Sequence, residues 1–179
     1  MSPPPFHFCY HCGHHKLETV SYRQSRCPAC GYSQFVTPIP AAVALVLDSE
    51  DRLLLMLRAH EPGFGKLGLP GGVIDPAESA DLACARETLE ETGINLPASG
   101  YTYIGTCCNR YPFQGYTWPT LDILFFARTE NFDAAHAVDG EASEIVAVPL
   151  AEVVLEELAF PTHAEAVEKL RAWLAYNPR

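Results

Sequence analysis

The sequence predicts an α/β fold in which a mixed sheet is packed between helices, with a small cysteine-bearing unit in front of it. The first observation is a series of short apolar runs of strand length, at residues 41–47, 53–57, 101–107, 121–127 and 145–148. The second is helical periodicity in residues 79–92 and 163–176. The third is a group of four cysteines near the N-terminus. Strands interleaved with helices favour a sheet covered on both faces.

Length and charge fit one domain of ordinary size with a small appendage. The chain has 179 residues, of which 48% are apolar, which is enough to bury a full core. Its net charge of −10 argues against a protein that mainly coats nucleic acid. The first forty residues have a net charge of about +2, from Lys16, Arg23 and Arg26 against Glu18, which leaves about −12 for the rest. An anionic ligand of the larger part therefore needs a metal ion or a basic pocket.

The N-terminal residues MSPPPFHF lack both the basic start and the apolar run of a secretory signal. Nowhere does the chain have about 18 consecutive apolar residues, so we expect a cytoplasmic protein without membrane contact. Seven cysteines, an odd number, include two close pairs. This usage is typical of metal ligation with additional free thiols, and not of a disulfide framework.

The two cysteine pairs predict a structural zinc site. The sequences CYHCG at residues 9–13 and CPACG at residues 27–31 each present two thiolates on a tight turn, with a glycine that tolerates positive φ. Extended residues between the pairs predict a short strand or hairpin. Four thiolates complete a closed tetrahedral site that builds structure. The predicted ligands are Cys9, Cys12, Cys27 and Cys30; the nearby His11, His14 and His15 are expected to face solvent.

A stiff Thr-Pro-Ile-Pro connector at residues 37–40 is predicted to separate the two parts, which gives domains at residues 1–36 and 37–179. Residues 41–47 and 53–57 flank a polar turn and predict a buried hairpin. Residues 150–158 predict a short helix. The last helix is predicted to follow a capping box formed by Thr162 and Glu165. Its expected core face carries Val167, Leu170 and Leu174.

The helix at residues 79–92 carries a dense group of carboxylates. It follows the sequence LPGG at residues 69–72 and ends at Gly93. Its start is predicted between residues 75 and 79, with Asp75, Pro76 and Glu78 as the cap. Periodicity assigns Leu82, Ala85 and Leu89 to the buried face, and it places Glu87, Glu90 and Glu91 together on the other.

Like charges at these spacings each cost a few tenths of a kcal/mol on a bare helix, so folding alone gains nothing from the group. A divalent cation removes the conflict, and a high density of oxygen ligands suits Mg²⁺ or Mn²⁺. The alternative is a solvated acidic face, the ordinary role of a glutamate run. The flanking residues decide between the two readings.

Those residues follow a fixed pattern: Gly72, five residues, Glu78, seven residues, Arg86-Glu87, then Glu90-Glu91, Gly93 and Ile94. Over its 23 residues the pattern resembles the Nudix box. One position departs from the family, because Thr88 stands where an aliphatic residue is usual; we expect it to disturb packing slightly without touching the ligands.

The resemblance implies a Nudix-type α/β/α sandwich preceded by a zinc ribbon, and it assigns roles in the site. Glu87, Glu90 and Glu91 are implied metal ligands, with the Gly72 carbonyl as a further one. Arg86 is implied to pair with Glu78. The implied reaction is hydrolysis of a phosphoanhydride bond in a nucleoside diphosphate linked to another moiety. Family members often take the general base from outside the box, and our candidates are Glu141 and Glu144, which are equally well explained as loop carboxylates.

The substrate is narrowed by the residues after the box. Ribbon-bearing NADH pyrophosphatases carry an SQPWPFP-like stretch that this chain lacks. FAD and ADP-ribose are therefore candidate substrates on an equal footing with NADH. The aromatics Tyr111, Phe113 and Trp118 are candidates for stacking on a base or flavin ring, and Arg58 and Arg110 for phosphate contacts. The alternative is hairpin packing and ordinary surface cations.

Other functions remain open at this point. The chain could be a ligand sensor on a Nudix scaffold or a ribbon adaptor for nucleic acid, although a sensor need not keep every metal-binding glutamate. Removal of nucleotide caps from RNA is a further alternative, and the mildly basic ribbon is the only feature of the sequence that favours it. A nucleotide is the expected partner and nucleic acid is not favoured. Similar enzymes are commonly homodimers.

Overall fold

A computed structural model describes residues 6–138 and 140–177. The chain divides into two compact units, Met1–Pro38 and Ile39–Arg179. Among the described residues, no helix has the length and apolar character that a membrane crossing requires.

The N-terminal unit is a three-stranded antiparallel sheet, β1 (Glu18–Ser21), β2 (Gln24–Arg26) and β3 (Ser33–Phe35). The predicted hairpin between the cysteine pairs is confirmed, since β1 and β2 lie there. The buried Gln34 side chain ties β3 to the first cysteine turn. Its amide nitrogen donates to the carbonyl of Phe8 at 3.0 Å, and its oxygen accepts from the N–H of Tyr10 at 3.2 Å.

The larger unit is a mixed sheet with a helix on each face, as predicted. The strand order is β10-β5-β4-β9-β8, in which β4 and β9 are parallel and the other neighbours antiparallel. The strands are β4 (Ile39–Leu47), β5 (Arg52–Arg58), β6 (Leu67–Gly68), β7 (Gly71–Val73), β8 (Thr102–Phe113), β9 (Tyr116–Arg128) and β10 (Ala142–Pro149), and the helices are α1 (Ala80–Thr92) and α2 (Pro161–Tyr176).

Strands β4 and β5 separate from each other, and this separation makes room for the site. The predicted buried strands and their turn are confirmed, but the two strands of this hairpin pair only at Leu47 and Leu53. Strand β4 instead pairs with β9 along its whole length. Residues 67–73 fill the opening, with β6 paired to β5 and β7 paired to β4.

Alternating side chains of β4 divide the core into two layers. Val43, Leu45 and Leu47 pack in the layer with Val167 and Leu170 of α2. The layer with α1 contains smaller side chains, namely Ala42, Ala44, Ala83 and Cys84. Small residues on both surfaces let helix α1 lie close to the sheet.

This close packing overturns the predicted face of α1. The buried positions are Ala83, Cys84, Thr88, Glu91 and Thr92. Leu82 and Leu89, predicted to be buried with Ala85, are 52% and 43% exposed. Hydrophobic periodicity therefore did not identify the buried face, which packs Ala83 and Cys84 in the same core layer as the alanines of β4 and turns Glu91 towards the Gly71 N–H.

The predicted N-cap residues of both helices are wrong, whereas the predicted start of α1 between residues 75 and 79 and its end at Gly93 are confirmed. Helix α1 has Ser79 at the N-cap, because Ala77 has φ +71° and interrupts helical geometry before it. Helix α2 begins at Pro161, whose fixed φ suits the first turn, so Thr162 is inside the helix. Glu165 pairs with Lys169 at 3.0 Å instead of forming a capping box.

The remaining expectations have mixed outcomes. Val167 and Leu170 are fully buried and Leu174 partly so, which confirms the core face of α2. Residues 150–158 form two short 3₁₀ turns, Leu150–Glu152 and Leu155–Glu157, and not the predicted helix. Strands β8 and β9 extend through the aromatic stretch and turn at Gln114 and Gly115, both with positive φ. Cys107 is buried and Cys108 exposed, because adjacent residues of a strand point to opposite faces of the sheet.

Thr88, the departure from the family pattern, is bonded at its hydroxyl on both sides. It is fully buried; its hydroxyl donates to the carbonyl of Cys84 at 2.7 Å and accepts from the Tyr101 hydroxyl at 2.9 Å. Thr88 therefore forms a buried hydrogen-bonded pair with Tyr101, a contact that an aliphatic residue at this position could not make.

We predict that Thr88→Val, which keeps the side-chain shape, destabilises the protein by about 1–3 kcal/mol because the buried Tyr101 hydroxyl loses its acceptor. Adding Tyr101→Phe should recover most of that loss. Urea unfolding of the four members of this double-mutant cycle measures both effects. A Thr88→Val protein as stable as the wild type would contradict the coupling.

Candidate active site

Two glycines at the start of β7 lie close to β4 and to helix α1. Gly71 has φ +150°, and a Cβ there would lie 2.2 Å from the carbonyl oxygen of Ala42. A Cβ on Gly72 would lie 2.5 Å from Oε1 of Glu87. The preceding Pro70 is held by its carbonyl, which accepts from the N–H of Ala44 at 2.8 Å. The backbone of residues 70–72 is thus pressed between β4 and the glutamates of α1.

The three predicted ligands occupy different environments. Glu91 is buried, and its Oε2 accepts from the Gly71 N–H at 2.8 Å. The side chain of Glu87, only 15% exposed, lies against Gly72. The Glu90 side chain is 53% exposed. The helix therefore directs two of these glutamates at the glycine pair and the third towards solvent.

Arg86 is the cation of the cluster. Its Nε and Nη2 donate to the two carboxylate oxygens of Glu78, both at 3.0 Å, which is the pairing that the sequence predicts. Its Nη1 donates to Glu87 at 2.7 Å and to Glu90 at 3.0 Å. Arg86 lowers the pKa of the Glu78 carboxyl through these hydrogen bonds. One guanidinium is therefore shared among three carboxylates.

Burial raises the pKa of the Glu87 carboxyl, the Arg86 guanidinium opposes the rise, and the charges of Glu90 and Glu141 add to it. Glu141 is thus one of the charges that act on the Glu87 carboxyl. The backbone of Glu141 is anchored by its carbonyl, which accepts from the N–H of Ala59 at 2.8 Å. Glu144, the other candidate base, lies further along β10 opposite Leu57.

The donor set suits a hard divalent cation, because carboxylate and backbone oxygens are what Mg²⁺ and Mn²⁺ bind. The charge also suits one, since Arg86 is the only cation bonded to Glu78, Glu87 or Glu90 in residues 6–138 and 140–177. The Glu87, Glu90 and Glu91 oxygens are not gathered as tightly as the cysteine sulfurs, which form the one group of potential ligands within 4.8 Å of one another in that part of the chain. Binding a cation would draw Glu87 and Glu90 away from Arg86 Nη1.

The predicted substrate residues fall into separate places. Arg58 and Tyr111 meet at Phe160, with the Arg58 guanidinium carbon 5.2 Å from that ring centre and the Tyr111 ring centre 5.7 Å from it. Arg110 is the residue before Tyr111, so its side chain points to the opposite face of β8. Phe113 is exposed near the tip of the β8–β9 hairpin, and Trp118 packs against Tyr116 at 6.3 Å.

Arg58 is oriented but not neutralised. Its Nε donates to the carbonyl of Pro62 at 2.8 Å, and its stem would lie 3.4 Å from a Cβ added at Gly63 or at Gly68. It forms no ion pair with any residue that the structure describes. Sequence reasoning missed Phe160, which holds this arginine, because a single aromatic before a helix carries no distinguishing pattern.

The four cysteines converge as the sequence predicts. Cys9 and Cys30 have sulfurs 3.7 Å apart, as do Cys12 and Cys27. A tetrahedral zinc with Zn–S bonds of about 2.3 Å sets its sulfurs about 3.8 Å apart, so the spacing fits zinc, whereas a disulfide needs about 2.05 Å. Gly13 and Gly31 have φ of +72° and +76° and close the two turns. The three nearby histidines are exposed, as expected.

We predict about one zinc per chain by elemental analysis of protein purified without chelator, because four converging thiolates form a complete site. Cys12→Ser should lose most of this zinc. The matched control is Cys108→Ser, which removes an exposed thiol outside the cluster and should keep it. Equal zinc in the two variants would contradict the assignment.

Comparison with known proteins agrees with this geometry. The family model of the NUDIX domain matches residues 37–170, and the chain belongs to the Nudix family. Its N-terminal cysteine cluster is like that of a zinc ribbon.

Two groups of curated relatives match parts of the chain. The NAD-capped RNA hydrolase NudC of Stutzerimonas stutzeri strain A1501 is 31% identical over 96 residues, which are 52% of this chain and 33% of the relative. A putative 8-oxo-dGTP diphosphatase of Bacillus subtilis strain 168 is 45% identical over 58 residues, 32% of this chain and 37% of that protein. The chain thus matches about a third of the length of these relatives.

Solved structures share the fold. A NUDIX hydrolase from Nitrosomonas europaea superposes with a TM-score of 0.70 at 22% identity, over 97% of this chain and 94% of that one. The NUDIX domain of Shewanella oneidensis NrtR, complexed with ADP ribose, gives 0.64 at 26% identity, over 78% and 90%.

Proposed function

We propose that this chain is a Mg²⁺- or Mn²⁺-dependent pyrophosphohydrolase that cuts the phosphoanhydride bond of a nucleoside diphosphate linked to another moiety. The observation that carries the proposal is the packing of Glu91 and Glu87 against Gly71 and Gly72 in a cluster with excess negative charge. Membership of the Nudix family supports the reaction class. ADP-ribose and FAD are the first substrates to test, with a NADH-like dinucleotide after them; the ADP ribose bound to the Shewanella domain supports the first.

Each residue of the cluster has a role in this proposal. Glu87, Glu90, Glu91 and the Gly72 carbonyl would hold the cation. When bound, the cation offsets the charge of the pyrophosphate and acidifies a water molecule. Arg86 keeps Glu78 ionised and ties the turn before α1 to the helix. Glu141, whose charge acts on the Glu87 carboxyl, is the proposed general base that accepts the proton of the attacking water.

Arg58 and Tyr111 are the proposed contacts for the rest of the substrate. The Arg58 guanidinium is held by a carbonyl and an aromatic ring and has no carboxylate partner among the described residues, so it can pair with a phosphate oxygen at little cost in side-chain entropy. The neighbouring Tyr111 ring offers a surface for stacking. This arrangement favours Arg58 over Arg110 among the two predicted arginines.

We expect Mg²⁺-dependent turnover of at least one compound in a panel of ADP-ribose, FAD, NADH and nucleoside triphosphates, with products resolved chromatographically. Glu91→Gln should lower kcat about 100-fold or more, because a neutral amide weakens metal binding and the Gly71 contact. Glu168→Gln, at an exposed position of α2, is the control and should be unchanged. Absence of turnover on every compound would count against the proposal.

We also expect Arg58→Met to raise KM about tenfold with little change in kcat, because it removes a contact made equally in the bound and transition states. Arg110→Met is the matched control with the same chemical change. Steady-state kinetics on the best substrate of the panel measures both. An equal effect of the two substitutions would remove the preference for Arg58.

A second candidate is removal of nucleotide caps from RNA, which the names of the NudC relatives and the net positive charge of the N-terminal residues favour. Turnover of a NAD-capped oligonucleotide faster than of free NADH would support it. That preference should weaken with salt and in an Arg23→Gln, Arg26→Gln double variant of the full chain.

A further inference from the structure

His163, in the first turn of α2, reaches the active-site loop from a distant part of the sequence. Its Nδ1 accepts a hydrogen bond from the Leu69 N–H at 3.1 Å, a contact between residues 94 positions apart. Both groups are buried, and the Leu69 amide leads directly into Pro70, Gly71 and Gly72. Sequence reasoning did not single out this histidine.

The ring is fixed on several sides. Its plane stands edge-on to Phe160 with ring centres 5.0 Å apart, and its Cε1 would lie 3.8 Å from a Cβ on Gly68. Because Nδ1 accepts, the neutral ring carries its proton on Nε2. Burial, helped by the charge of Arg58, lowers the pKa of His163 to about 3, so the acceptor is present throughout the neutral range.

The loop has three consecutive anchors, each on a different element. Leu69 is held by His163 of α2, Pro70 by the Ala44 N–H of β4, and Gly71 by the Glu91 carboxylate of α1. Pro70 has a fixed φ and no N–H, so it transmits the position of Leu69 to Gly71 with little freedom. A shift at Leu69 therefore displaces the N–H that orients Glu91.

We infer that His163 is a positioning residue for the proposed reaction: its Nδ1 fixes the Leu69 amide, and through Pro70 this sets the Gly71 N–H that orients Glu91. The role rests on the proposed function. The hydrogen bond of His163 to Leu69 involves neither the glutamates nor the proposed substrate contacts. His163 therefore acts on the orientation of a proposed metal ligand and not on the reacting atoms.

The test compares three proteins. His163→Leu removes the acceptor, whereas His163→Asn places an amide oxygen at the same number of bonds from the backbone as Nδ1 and keeps it. With the panel substrate at saturating Mg²⁺, His163→Leu should lower kcat about 10- to 100-fold, as expected for loss of a support of a metal ligand. KM should change less than kcat, because leucine can still pack against Phe160, the ring that holds Arg58. His163→Asn should restore most of kcat.

Amide hydrogen exchange by NMR gives a readout independent of activity. The Leu69 and Gly71 amides should be protected in the wild type and in His163→Asn, and should exchange more than about tenfold faster in His163→Leu, while the amides of β4 remain protected and report an intact fold. Wild-type kcat in a folded His163→Leu protein would overturn the inference. So would a His163→Asn protein as slow as His163→Leu, because the acceptor would then not be what matters.

Failure of the proposed function looks different. In that case the wild type turns over no compound of the panel, which contradicts the positioning role together with the proposed function. Failure of the inference alone leaves the wild type and His163→Leu turning over the same substrate at the same rate.

Discussion

The structure depends on the opening between β4 and β5 and on the way the chain closes it. The two strands part on the side away from their turn, before Leu47 and after Leu53, and their unpaired edges would be costly if left buried. Residues 67–73 satisfy them by pairing with one strand and then the other. The crossing brings Gly71 against the Ala42 carbonyl, so a Cβ at that position is excluded. The same packing that completes the sheet therefore brings a bare backbone to the acidic face of α1.

The carboxylates at this crossing carry a cost for folding that an active site explains. Glu91 is buried, Glu87 nearly so, and Arg86 divides its charge among Glu78, Glu87 and Glu90. Burying a carboxylate is unfavourable unless it is paired, and adjacent like charges add to the cost. An apolar face would pack against Ala42 and Ala44 without this penalty. The arrangement is reasonable for a protein that binds a divalent cation and, through it, an anionic substrate.

The sequence predicted those features that depend on fixed local spacing. The cysteine turns, the Arg86–Glu78 pair, the mixed sheet and the core face of α2 all follow from patterns within a few residues or a single motif. The exposed Leu82 and Leu89, the N-cap residues of both helices and the His163–Leu69 bond did not follow, because they are decided by surfaces far apart in the chain. The buried face of α1 is the one that packs against the alanines of β4. The helices begin where the backbone at Ala77 and Pro161 permits. Thr88 illustrates the same limit, since its partner Tyr101 is in another element.

The two proposed metal sites differ in how ready their ligands are, and this difference matches their roles. Two pairs of cysteine sulfurs already lie at the edge length of a zinc tetrahedron and all four lie within 4.8 Å of one another, held by backbone turns and by Gln34, so zinc would enter with little rearrangement. A closed set of four ligands leaves no position for a substrate. The glutamates are instead held by Arg86 and by the Gly71 amide, bonds that a cation must compete with. A site whose ligands have alternative partners exchanges its metal more easily, which suits an ion that must also bind and release phosphate.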